Sequence, residues 1–168
     1  MNMECPPLYG KYRGVVTNND DRKDGKKMGR IRAKVPDVFG EDESGWAMPC
    51  VPYAGKGVGF FMIPPVDALV WIEFENGDPE YPIWTGCFWA EDEVPVKSYT
   101  PDAKVLKTET ATITINDASG NAGITIETKK GMKIVINNDG IEINNGQEAT
   151  VKLKGKKVSV NGTALEVE

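Results

Sequence analysis

The sequence predicts an all-β protein in two parts, a small closed barrel followed by a repetitive array of short strands. Three observations carry that expectation. Apolar and polar residues alternate over short runs bounded by Gly, Pro, Asn and Asp, and no stretch shows a capped 3.6-residue pattern of useful length. The composition breaks near residue 101. Every Trp, Tyr and Phe lies at or before Tyr99, all 11 prolines lie at or before Pro101, and every Cys and Arg falls in the same part. After the break, one apolar–x–apolar element recurs seven times.

Along the first part, Tyr12–Thr17 reads as a strand and 18–28 as a polar loop. Residues 29–35 alternate, with Ile31, Ala33 and Val35 on one face, and Pro36 ends the run because it cannot donate to a ladder. Residues 45–51, 59–63, 68–74 and 83–89 are further strand candidates. Between the last two, Asn76-Gly77 are strong hairpin residues, and Asp78-Pro79 with Pro82 stiffen the return. Short strands with long irregular connections fit a small closed barrel such as an OB-fold.

The second part carries the pairs Ile113/Ile115, Ile124/Ile126, Ile134/Ile136, Ile141/Ile143, Val151/Leu153, Val158/Val160 and Leu165/Val167. Each pair is the apolar side of a strand with one buried face. Gly and Asn fill the gaps, where the backbone needs positive φ. Two medium aliphatics per strand make a narrow apolar face, and an open sheet exposes unpaired edges. Such arrays are stabilised by stacking or by oligomerising, so an oligomer is expected, with the copy number left open. The expected organisation is a barrel over 1–90, a linker over 91–102 and the repetitive β region over 103–168.

Several function classes are disfavoured. The chain contains no histidine, which removes Ser-His-Asp and Cys-His nucleophile systems and the commonest general base. Its net charge is −5, whereas nucleic-acid binders draw most of their non-specific affinity from basic surface. The densest basic stretch, Arg22 to Lys34, is mixed with Asp20, Asp21 and Asp24 and reads as a solvated loop and strand edge. The three cysteines, Cys5, Cys50 and Cys87, lack metal-type spacing and do not suggest a disulfide scaffold. No run approaches the roughly 20 apolar residues of a membrane span. The first residues lack the basic and apolar regions of a signal peptide, so synthesis in the cytoplasm is expected.

Individual motifs read as structure. Ala54 to Phe60 is glycine-rich around Lys56, but it is neither a P-loop nor a dinucleotide fingerprint and reads as a tight irregular loop. Asp20 to Gly25 fails the calcium-loop pattern at its third and twelfth positions. Glu73 and Glu75, two apart on a strand, would share a solvent side, and a glycosidase reading has only that carboxylate supply to rest on. Trp71, Trp84 and Trp89 could stack on bases or sugars, with barrel core or interface favoured.

As a set, the residues from Gly29 to Gly86 resemble a known family. Gly29-Arg30 opens a strand and Trp46 sits in the next. Ala54-Gly55-Lys56-Gly57 precedes Gly59-Phe60, and Ile63-Pro64, Val70 and Phe74 follow. Asn76-Gly77-Asp78-Pro79, Pro82 and Gly86 complete the pattern. Over about residues 9–89 the chain resembles the OB-fold of contractile-tail spikes, that is, phage baseplate assembly protein V and the matching part of the type VI secretion spike VgrG. The resemblance implies a homotrimer whose repeats form a β-helix or β-prism needle, with the fourteen paired aliphatics named above as trimer core. It implies a structural central spike, docked on a trimeric hub at its OB end and piercing a target membrane. It implies no enzyme activity, catalytic residue, cofactor or metal, and no nucleic-acid partner.

The sequence departs from that family in places. Asp67 stands where the family often has Gly, and Asp tolerates a left-handed backbone better than most residues. No hub domain precedes the OB part, so a separate hub protein is expected. There is no room for a lysozyme domain, and without histidine the chain cannot copy a His-ligated iron tip. A separate PAAR-type tip protein is expected at the C-terminal end. The particle would be a phage tail or injection machine, assembled at the baseplate and delivered outward on contraction. The competing readings are a single-stranded nucleic-acid-binding OB protein and a carbohydrate-binding tailspike.

Overall fold

The structure, a computed structural model, describes residues 6–96, 100–120, 122–162 and 164–167; Cys5 and residues 97–99 of the expected linker lie outside them. It divides into two compact units, Met1–Glu93 and Val94–Glu168.

The first unit holds strands β1 (Tyr12–Asn18), β2 (Arg32–Lys34), β3 (Met48–Pro49), β4 (Ala54–Gly55), β5 (Val58–Gly59), β6 (Leu69–Phe74) and β7 (Pro82–Phe88). Five of them form a sheet in the order β2-β1-β6-β7-β3. β3 runs parallel to β7, and Ala47, just before β3, bridges back to Ile31 at the start of β2. The sheet therefore closes on itself, as an OB-type barrel does. Alternation sends Val70, Ile72 and Phe74 of β6 inward, where they meet Val16, Ile31, Ala33, Val35, Ala47 and Trp84. The buried Trp84 indole donates to the Gly29 carbonyl at 3.2 Å, and Phe74 stands edge-on to Tyr12 and Phe39.

Several expected strands are shorter than their apolar runs. Of 45–51 only Met48–Pro49 form a strand, beside the single Ala47–Ile31 bridge, and 59–63 contributes only the end of the β4–β5 hairpin. Tertiary pairing, rather than apolar content, decides where a ladder exists. The polar loop 18–28 contains a 3-10 turn at Asp21–Asp24, and a single helical turn, α1 (Pro36–Phe39), follows β2 with Pro36 in its first turn. At the β6–β7 corner both Asn76 (φ 52°) and Gly77 (φ 77°) are left-handed, as the hairpin residues predict. Gly77 accepts from the Leu8 N–H at 2.8 Å, and a Cβ there would lie 2.8 Å from Pro7. Asp67 adopts φ 70°, the left-handed backbone expected of it.

The second unit is one antiparallel sheet of eight strands in sequence order. These are β8 (Ala103–Lys107), β9 (Ala111–Asn116), β10 (Gly123–Thr128), β11 (Lys133–Asn137), β12 (Gly140–Asn144), β13 (Thr150–Lys154), β14 (Lys157–Val160) and β15 (Leu165–Val167). Each strand pairs with the next through a short turn, so a single chain forms an open meander rather than a β-helix or prism. Asn side chains brace the turns: Asn116, Asn137, Asn144 and Asn145 each accept from a backbone N–H two residues on. Gly140 (φ 141°) is packed so tightly that a Cβ would lie 1.9 Å from the Leu153 carbonyl oxygen. β8 was not among the seven repeats. Its Lys104 stands opposite Ile115, where every other strand carries an aliphatic, so the apolar–x–apolar signature is broken there.

Candidate functional site

The register of the second sheet lines its aliphatics into two columns on one face. Ile115, Ile124, Ile136, Ile141, Leu153, Val158 and Val167 are successive cross-strand neighbours, and so are Ile113, Ile126, Ile134, Ile143, Val151, Val160 and Leu165. Leu106 of β8 extends the second column beside Ile113. The intervening residues, including Thr114, Thr125, Glu142, Lys152 and Ser159, point to the other face, where Lys152 and Glu142 pair at 3.2 Å. All fourteen residues singled out from the sequence thus share one face, and none is buried within the chain: Ile143 is 45 % and Val167 58 % exposed. Every buried hydrophobic side chain among the described residues belongs to the first unit. A contiguous apolar face of this extent marks an interaction surface.

The first unit presents a second apolar feature. Tyr53, Val58, Phe60, Phe61 and Met62, on and beside the β4–β5 hairpin, are all exposed, Phe61 at 74 %. The glycine-rich stretch forms this hairpin. Gly57 (φ 76°) turns it, and Gly59 lies so close to Tyr53 that a Cβ would sit 2.7 Å from its carbonyl oxygen. Ala54 and Gly55 pair with Gly59 and Val58 across the hairpin, and the Phe60 N–H donates to the Tyr53 carbonyl at 2.9 Å.

The carboxylates and aromatics weighed as chemical groups do not converge. Glu73 is bound to the Lys11 ammonium at 2.6 Å, and Glu75 has left the strand for the 3-10 turn Glu75–Gly77, so the two do not share a strand face as expected. Trp84 is core, Trp71 stacks on Phe88 at 4.6 Å beneath Arg13, and Trp89 is exposed. Among the described residues no group of three His, Cys, Asp or Glu is placed to hold a metal ion. No helix is long and apolar enough to cross a membrane.

The basic stretch is more structured than a solvated loop. Asp21 is almost fully buried and accepts from the N–H groups of Met28 and Arg30 and from Arg30 Nε at 3.2 Å. Burial alone would push its carboxyl up, but these donors hold it below the ordinary carboxylate value. Arg30 also donates to Asp24 at 2.6 Å. The guanidinium groups of Arg30 and Arg32 both stand over the Trp46 ring, 5.3 and 5.0 Å from its centre. At the surface, Arg22 grips Asp20 and holds its carboxyl at about 2. Arg22 and Arg30 are thus engaged within the fold, while Lys23, Lys26 and Lys27 stay exposed.

Comparison with known proteins matches both units. Residues 12–89 match the type VI secretion system/phage-baseplate injector OB domain, and residues 103–166 match the phage baseplate V C-terminal trimerisation domain. The chain is similar to the actin cross-linking toxin VgrG1 of Vibrio cholerae, 31 % identical over 139 residues, 76 % of this chain and 12 % of that protein. It is similar to the type VI secretion system spike protein VgrG3 of Vibrio cholerae, 31 % identical over 69 % of this chain and 13 % of that protein. It is also similar to the spike protein VgrG4b of Pseudomonas aeruginosa, 28 % identical over 76 % of this chain and 16 % of that protein. The chain therefore spans a small fraction of the length of these relatives. With both domain models matched in order, the chain belongs to the phage baseplate V/VgrG family of injector spike proteins.

Proposed function

We propose that this chain is the central spike of a contractile injection machine, and that three copies close their apolar faces around one axis to build its needle. The observation that carries this reading is the two-column apolar face of a sheet that has no core of its own. The match of that unit to a trimerisation domain supports the copy number. Residues 1–90 act as the docking domain, 91–102 as the linker and 103–168 as the needle; each chain supplies one whole meander sheet to the trimer rather than intertwining its strands, with the fourteen column residues as its core.

In this reading the OB domain seats on a trimeric hub, and the exposed Phe60, Phe61 and Met62 are suited to such a contact. A PAAR-type tip protein would cover the far end of the needle. The mechanism is mechanical. A closed, fully hydrogen-bonded rod with a dry interior transmits the thrust of sheath contraction to a target membrane, and no bond is made or broken. Light scattering tests it: the expected mass is three times the 18.4 kDa of the chain, and a stable folded monomer would overturn the reading. No observation favours a nucleic-acid or carbohydrate ligand.

A further inference from the structure

A meander places its turns on two lateral margins at alternating heights. The turns after β8, β10, β12 and β14 lie on one margin, and those after β9, β11 and β13 on the other, each about one strand spacing of ~4.8 Å from the next level. The margins differ in charge. The first carries Glu109 after β8, Lys129 and Lys130 after β10 and Glu148 after β12. The second carries Asp117 after β9, Asp139 after β11 and Lys156 after β13. Asp117 is bound to Lys104 on its own strand pair. Lys129, Lys130, Asp139, Glu148 and Lys156 are exposed and have no ion-pair partner within the described part of the chain.

Symmetry decides which margins meet. A ring of three copies joins unlike margins, a heterologous contact, whereas a face-to-face pair related by a twofold axis covers the apolar face and leaves the margins apart. In a ring without axial offset, the turns of one margin fall at heights between the turns of the next. The Lys129–Lys130 turn then faces the gap between the Asp117 and Asp139 turns. The Glu148 turn faces the gap between the Asp139 and Lys156 turns. At the uppermost level Glu109 meets the Asp117 level, where Lys104 supplies the cation.

We propose that neighbouring copies meet margin to margin, with the Lys129–Lys130 turn of one copy interleaved between the Asp117 and Asp139 turns of the next, and that this charge match favours the closed ring over displaced pairings that cannot close. The inference rests on the trimeric reading above and adds which residues lie at its corners. A displacement by two strands in either direction would bring Glu109 or Glu148 into the gap between Asp117 and Asp139, a like-charge opposition, so the pattern acts on specificity more than on total affinity.

The test uses the full chain. Trimers refolded from mixed isotope-labelled and unlabelled chains are treated with a carbodiimide, which joins a lysine to a carboxylate only in direct contact. Mixed-label peptides joining Lys129 or Lys130 to Asp139 or Asp117 are expected. In parallel, Asp139→Lys should speed subunit exchange roughly tenfold, the order for three repeated exposed ion pairs, and adding Lys129→Glu and Lys130→Glu should reverse it. A trimer that lacks these cross-links, or whose exchange is not restored by the triple reversal, overturns the corner contacts while leaving the trimer standing. A chain that is monomeric before any substitution overturns the trimeric reading itself.

Discussion

Asp21 and Arg30 meet at 3.2 Å with their side chains 4 % and 12 % exposed, joining the 3-10 turn to the residue that leads into β2. Both members are needed, because removing one leaves the other charge desolvated without its partner. Asp21→Asn is expected to lower the stability of the first unit by about 3 kcal/mol, as for breaking a buried pair. Thermal unfolding followed by tryptophan fluorescence reads this, since all four tryptophans lie in that unit.

The same carboxylate gives the first unit a pH dependence of known sign. The Asp21 pKa is lower folded than unfolded, so its contribution is fully present above the ordinary aspartate value of about 3.9 and is lost as pH falls through the lower folded value. Melting temperature should therefore drop below about pH 4 in the parent. Asp21→Asn should flatten part of that drop, and an unchanged slope in the variant would show that Asp21 is not its source.

Ile134 and Ile143 are cross-strand neighbours at the centre of the apolar face. In the proposed trimer a charge placed there would be sealed into the interior, so Ile134→Asp is expected to abolish the trimer in light scattering while leaving the first unit's fluorescence transition intact. Thr125→Lys, on the opposite face, is expected to change stability by no more than about 0.5 kcal/mol.

Gly140 has no room for a side chain. Gly140→Ala drives a methyl into the Leu153 carbonyl and strains a φ of 141°, so a loss of about 1–3 kcal/mol is expected. Gly155→Ala, where nothing lies within 4 Å but φ is 60°, should cost less, and the two melting temperatures measured side by side check the order.

Much of the fold was legible because its signals are local. Alternation in residues 29–35 placed Ile31, Ala33 and Val35 inward, Asn76-Gly77 announced a left-handed corner, and the apolar–x–apolar repeats declared one face of each later strand. What escaped was set by partners distant in sequence. Lys104 hid β8 by occupying an aliphatic position. The run 59–63 looked like a strand but finds little ladder partner, and Phe60 and Phe61 face outward instead. Glu75 left its strand because the hairpin begins one residue earlier than alternation suggests.

The sequence by itself determined the two-part all-β architecture, the resemblance to a spike OB-fold and the apolar identity of the fourteen repeat residues, because each is carried by short-range pattern or by residue type. Only the tertiary structure decided that those residues align in two unbroken columns, that Asp21 and Arg30 form a buried pair within a basic stretch, and that the Lys129–Lys130 turn falls on the opposite margin from the Asp117 and Asp139 turns. The physical reason is register. Hydrogen bonding between strands, not their composition, determines which side chains become neighbours, and one residue of slip would have carried each aliphatic to the other face.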